Sequence, residues 1–109
     1  MVPVMIQPSE KSYGTAVCFS GVFGLLGIQH FYLGRYGLGF LDLGLSVGGV
    51  AFIFLSDSIA GIIFGAILLV IDIVHSIYVF VKLLAGEYED GDGRLVMYPG
   101  QKTRPAHII

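Results

Sequence analysis

The feature that most constrains this chain is a pair of apolar runs, Gly37–Leu55 and Ile59–Leu84, separated only by Ser56-Asp57-Ser58. The first has 19 residues and one charge, Asp42; the second has 26 residues, with Asp72 and Lys82 as its only charges. A helix needs about 20 apolar residues to cross roughly 30 Å of hydrocarbon. So short a loop favours an antiparallel hairpin, and Asp57 or Ser58 is placed to cap the second helix at its positive end. Composition agrees: 55% of the chain is hydrophobic and 13% charged, with mean hydropathy +0.83. Soluble domains carry about 25% charged residues. A chain of 109 residues has too little interior to hide this much apolar surface, so lipid must solvate the excess.

A further apolar segment precedes the pair. Gly14–Ile28 has no charge over 15 residues, and Ser12 and Tyr13 extend it into the interface. It is short for a span, so it either starts near Lys11 or meets a thinned bilayer. No small-x-small site follows it, which argues against a cleaved signal peptide. The expected fold is therefore an all-α membrane protein of three tightly packed, Gly-rich transmembrane helices with a short C-terminal tail. Its parts are an N-terminal tail 1–12, a transmembrane domain 13–85 with spans of about 13–29, 37–55 and 59–84, and a tail 86–109. Pro3 and Pro8 oppose helix in the first tail, where Ser9 is a candidate helix cap. In the second tail, Gly86 fits a helix C-cap and Arg94–Tyr98 can pair as a short strand. Its Asp90-Gly-Asp92-Gly93 turn only partly matches a calcium loop, because Arg94 stands where a further oxygen ligand is needed.

Glycine is abundant, at 16 residues. In a bilayer it lets helices approach closely. The candidate packing positions are Gly21, Gly24, Gly44, Gly48, Gly61 and Gly65; Gly44-xxx-Gly48 and Gly61-xxx-Gly65 are close-packing motifs. These faces serve packing within the chain or against a partner. The intramembrane polar residues are Asp42, Asp72, His75 and Ser76. Asp42 shares a helical face with Ser46 and Gly49, and reads either as a carboxylate reaching the interface or pairing with Arg35, or as an ion site. Asp72 lies about 21 Å from Ser58 along a helix, a depth at which an ionisable group faces protein. His75 and Ser76 are its nearest possible partners. It reads as a buried register-fixing carboxylate or as part of a proton or cation relay.

Between the first and second runs lies Gly27-Ile-Gln-His30-Phe31-Tyr32-Leu33-Gly34-Arg35, with Gly37 and Gly39 beyond. Phe31 and Tyr32 suit the headgroup zone, Arg35 can hold lipid phosphate or cap a helix, and Gly34 and Gly37 permit a chain reversal. His30 has no Cys, Asp or Glu at ligand spacing, so no metal and no cofactor is expected. This element resembles that of the TM2 domain family, small membrane proteins with a Gly-x-x-His/Asp-Arg-Phe-Tyr-Leu-Gly motif after their first transmembrane helix. Asp72 looks like the Asp near the end of that family's last apolar segment, and the Asp90-to-Arg94 turn is similar to the tail that often follows. Here Gln29-His30 replaces the usual His-Arg or Asp-Arg, and Leu69-Val70 replaces an aromatic pair. The family is usually described with two spans, whereas this chain has apolar length for three. The resemblance implies a membrane fold and no established reaction.

Three spans place the termini on opposite sides. Arg35, Lys82, Arg94, Lys102 and Arg104 then share one side against Lys11 on the other, which puts the C-terminus in the cytoplasm, in a membrane of bacterial inner (plasma) type. A half-inserted first segment instead moves the N-terminus to that same side. Net charge −2 without a basic stripe excludes nucleic acid. The single Cys18 forms no intrachain disulfide. No activated nucleophile pair, phosphate loop or metal constellation indicates an enzyme, and no small-molecule substrate is expected. The expected partners are the lipid bilayer and other membrane subunits, or further copies of the chain. The expected role is a non-enzymatic accessory or scaffolding subunit. The alternative is a homo-oligomeric channel or membrane-permeabilising effector using Asp42, Asp72 and His75.

Overall fold

The structure, a computed structural model, describes residue 5 and residues 7–102. Arg104, and the ends of both tails, lie outside the described residues. Four helices follow in order: α1 (Tyr13–Phe23), α2 (Ile28–Tyr32), α3 (Tyr36–Leu55) and α4 (Ile59–Leu84). Among the described residues there is no strand; Leu95 makes only isolated bridges to Pro8 and Glu89.

Two helices, α3 and α4, are long and apolar enough to cross a membrane. They form the antiparallel hairpin that the short loop requires. Ser58 caps α4, its hydroxyl accepting from Gly61 N at 3.1 Å. The helices meet at Gly49 and Gly65. A Cβ built on Gly65 would stand 2.6 Å from Gly49 O and 2.8 Å from Phe52 Cβ. Only hydrogen side chains allow backbones so close, and van der Waals contact, rather than hydrophobic burial, holds helices together in lipid. Gly65 was expected at a packing face; its counterpart is Gly49 rather than Gly48, which faces Leu68.

The first apolar segment departs from the expected third span. α1 is capped by Ser12, whose hydroxyl accepts from Thr15 N at 3.2 Å, and ends after 11 residues. A single 3₁₀ turn, Gly24–Leu26, follows, and then Gly27 at φ 75°, ψ 19°. An L side chain in this left-handed conformation costs about 1–2 kcal/mol, so glycine is what allows the chain to reverse here. The reversed chain becomes α2 and runs back toward the level at which α1 began: Tyr32 Oη accepts from Ser12 N at 2.8 Å. The segment is re-entrant in the sense that it doubles back, so that its two ends lie at the same level.

That geometry also corrects the placement of the termini. Residues 7–10 lie on the tail: Ser9 N donates to Leu95 O at 2.7 Å and Leu95 N to Gln7 O at 3.1 Å. Ser9 is therefore no helix cap; its hydroxyl bonds the Asp90 carboxylate. With α1 and α2 returning to their starting level and α3–α4 making a closed hairpin, the described ends of the chain share one side. The core sits there, built from Ala16, Leu33, Val79, Leu83, Tyr88 and Val96. Gly86, at φ 71°, ends α4 as expected, its N–H bonding Leu83 O at 3.1 Å, and turns the tail over this core.

Candidate functional site

Beneath the re-entrant turn, α2, α3 and α4 converge on a buried polar centre. α2 contributes His30, α3 contributes Asp42, and α4 contributes Asp72, His75 and Ser76. His30, Asp42 and Asp72 are fully buried. Asp42 lies between the two histidines: its Oδ1 is 2.7 Å from His75 Nδ1 and its Oδ2 is 3.1 Å from His30 Nε2. The first contact is a hydrogen bond. The second is not; His30 Nε2 and Asp42 Oδ2 are both left without a hydrogen-bond partner at that separation. The two imidazoles stack with centroids 5.6 Å apart.

Asp42 was expected either to reach the interface or pair with Arg35, or to be an ion site. It neither reaches the interface nor pairs with Arg35, because Gly27 and Gly39 let α2 settle directly over it. A Cβ on Gly27 would stand 2.8 Å from Asp42 Cβ, and one on Gly39 would stand 2.9 Å from the Phe31 ring. Arg35 instead lies over the Tyr88 ring, 4.8 Å from its centroid, and bonds Glu89 O at 3.4 Å.

Asp72 faces protein, as its depth demands. It lies near the middle of α4, about 18 Å from Leu84 along the axis. Neither neighbour on its own helix serves it, however. His75 turns to Asp42, and the Ser76 hydroxyl donates to Gly24 O at 3.0 Å. That bond ties α4 to the 3₁₀ turn, at a carbonyl that also accepts from Gly27 N at 3.2 Å. Both Asp72 oxygens lack a partner, as do both polar atoms of the fully buried Gln29 amide.

The centre is linked to the aqueous side by Tyr88, whose hydroxyl lies 3.2 Å from His30 Nδ1. Burial pushes the Tyr88 phenol above its ordinary pKa, with the Arg35 guanidinium pulling the other way, so it stays protonated at neutral pH. A cleft of about 300 Å³ opens beside it, lined by Arg35, His75, Tyr78, Lys82, Glu87 and Tyr88 among others. His75 reaches this cleft with 26% of its side chain exposed.

The remaining loop residues make packing and backbone contacts. Phe31 packs edge-on against Phe40 at 5.0 Å. Tyr32 takes the Ser12 bond, Leu33 belongs to the core and its carbonyl accepts from Gly91 N at 2.7 Å, and Gly34 turns the chain at φ 83°. Among the packing candidates, Gly24 meets Ser76, Gly21 meets Phe80 and Gly61 meets Ser56 of its own loop, whereas a Cβ on Gly44 would meet nothing within 4 Å. The acidic turn is a hydrogen-bonded turn: Asp90 Oδ1 accepts from Asp92 N at 2.9 Å and Arg94 N at 3.0 Å, and Arg94 pairs with Glu10 at 3.5 Å. Sequence reading missed Tyr88, Gln29 and the Ser9–Asp90 bond. Tyr88 gave one usable signal, an aromatic ring flanked by Glu87 and Glu89 just past a helix end.

Two long lipid-compatible helices, a re-entrant segment and a buried ionisable centre define a small all-α integral membrane protein. A family model described as TM2 domain matches residues 9–74, and the chain belongs to the TM2 domain family. No curated protein and no solved structure matches it significantly.

Proposed function

We propose that this chain is a non-enzymatic accessory or scaffolding subunit of a larger membrane complex, in a membrane of bacterial inner type. The observation that carries this reading is an unfilled small-residue stripe on the outer face of α3. Gly37 and Gly44 lie two turns apart, and a Cβ on either would meet nothing within 4 Å. Between and beyond them stand Phe40, Leu41 and Val47, 50–65% exposed. A groove of glycine flanked by bulky apolar side chains suits close approach of another helix. The glycines at the α3–α4 contact are consumed within the chain, so they are poor candidates for partner binding. The described mass outside the bilayer is small, which leaves helix surfaces and the tail as the means of contact.

The orientation follows from charge. All five described lysines and arginines, Lys11, Arg35, Lys82, Arg94 and Lys102, stand at the end that carries the tail, and Asp57 stands at the other. The positive-inside rule puts that end in the cytoplasm. Co-purification from native membranes tests the role. Gly44→Leu is expected to lose larger subunits held in fixed ratio by the unaltered chain while keeping its own thermal stability. A complex that survives this substitution intact contradicts the reading.

The channel alternative draws on the cleft that leads to His75. The centre is enclosed within one chain, between α2, α3 and α4, which favours a binding site over a shared pore. Unchanged ion flux across liposomes on Asp72→Asn would remove that residue from any pore.

A further inference from the structure

We infer that His30, Asp42 and His75 form a binding site for a single divalent transition-metal ion of the zinc type, with Asp72 as the balancing second carboxylate. The inference is independent of the accessory reading. One donor atom from each of the three residues lies within 4.8 Å of the others. Two neutral imidazole nitrogens and one carboxylate oxygen are the mixed N/O set that borderline ions such as Zn²⁺ and Co²⁺ favour over Mg²⁺ or Ca²⁺. A tetrahedral ion with bonds of about 2.0–2.1 Å needs donors roughly 3.4 Å apart. The contacts at 2.7 and 3.1 Å run to different oxygens of Asp42, so one ion between the two histidines takes this carboxylate through both oxygens or after it rotates to present one.

Three independent observations point at a ligand. His30 Nε2 and Asp42 Oδ2 face each other, fully buried, without making a hydrogen bond. Both Asp72 oxygens are buried and unpartnered. Unpaired carboxylates at membrane depth are strongly unfavourable, whereas two carboxylates neutralise one dication. Finally, Tyr88 Oη stands 3.2 Å from His30 Nδ1. With Nδ1–H donating to that oxygen, Nε2 presents its lone pair to the centre. A fixed partner on the far nitrogen is the usual support of a metal-bound histidine. The cleft at His75 supplies a route from the aqueous side, and its Glu87 and Glu89 offset the basic Arg35 and Lys82 at the mouth.

An ion held here would tie α2, the returning limb of the re-entrant segment, to α3 and α4. The test uses the full chain, purified in detergent after chelation and titrated with Co²⁺, then displaced with Zn²⁺. The expected result is one equivalent of Co²⁺ with the intense visible absorption of a tetrahedral N/O site, bleached by Zn²⁺, and a rise in thermal stability on loading. His75→Gln, at a partly exposed position that tolerates the change, is expected to weaken binding at least tenfold. Tyr88→Phe, which touches no ion, is expected to weaken it about 10–100-fold without altering the spectrum. Absence of stoichiometric binding by the unaltered chain overturns the inference. So does stoichiometric binding that His75→Gln leaves unweakened.

Discussion

The α3–α4 hairpin and the α1–α2 segment are built from the same materials and do opposite things. Both are apolar and rich in glycine. The glycines of α3 and α4 all keep helical backbone angles, because each sits in a regular helix and the closest pair, Gly49 and Gly65, gains from contact. Gly27 takes φ 75° instead and turns the chain back. Apolar length alone therefore does not make a span. What separates the regions is whether a glycine is used to bring two helices together or to break one.

Substitutions can sharpen this contrast. The largest effect is expected at Gly65→Leu, whose side chain would have to displace the Gly49 backbone and Phe52; a loss of about 3 kcal/mol or more, or failure to fold, should appear in thermal unfolding in detergent. Gly27→Ala comes next, at about 2–3 kcal/mol, combining a strained left-handed residue with contact against Asp42 and Gly39. A Gly27→Ala chain as stable as the original would mean that the break does not depend on glycine.

The cap formed by the two chain ends gives a smaller effect. Asp90→Asn is expected to cost about 1–2 kcal/mol through weakened bonds to Ser9, Asp92 and Arg94. Burial alone would raise the Asp90 pKa, but the bonds from Ser9, Arg94 and Asp92 outweigh it and hold the carboxyl below its ordinary 3.8. Stability from a depressed carboxyl is present above the unfolded value and is lost as pH falls through the folded one. The difference between Asp90→Asn and the original should accordingly be full near neutral pH and shrink as pH is lowered below about 3.8. Gly44→Leu is the smallest, within about 0.5 kcal/mol, since its side chain enters open space.

The hairpin was legible because its information is local. Runs of 19 and 26 apolar residues, a three-residue loop and a serine cap each act over one element, and the observed helices begin and end within a residue of those runs. The demand that Asp72 face protein follows from depth alone. The re-entrant turn was hidden because Gly24 and Gly27 carry the same letter as the packing glycines, and only tertiary contact with Asp42 and Ser76 fixes their conformation. The polar centre was hidden for a related reason. His30, Asp42 and His75 lie far apart in the chain, so linear ligand spacing could not join them, and each was read by its own neighbours. Arg35 looked like the natural partner for Asp42, and Tyr88 holds it elsewhere.

A first apolar segment that doubles back enters and leaves the bilayer on one side. The direct measurement is labelling of single cysteines at Glu10, Asp57 and Glu89, in a Cys18→Ser background, by a membrane-impermeant thiol reagent added to sealed vesicles of known orientation. The cysteines at positions 10 and 89 are expected to react from the same side and the one at 57 from the other. Labelling of positions 10 and 57 together, with 89 opposite, would mean three complete spans and would contradict it.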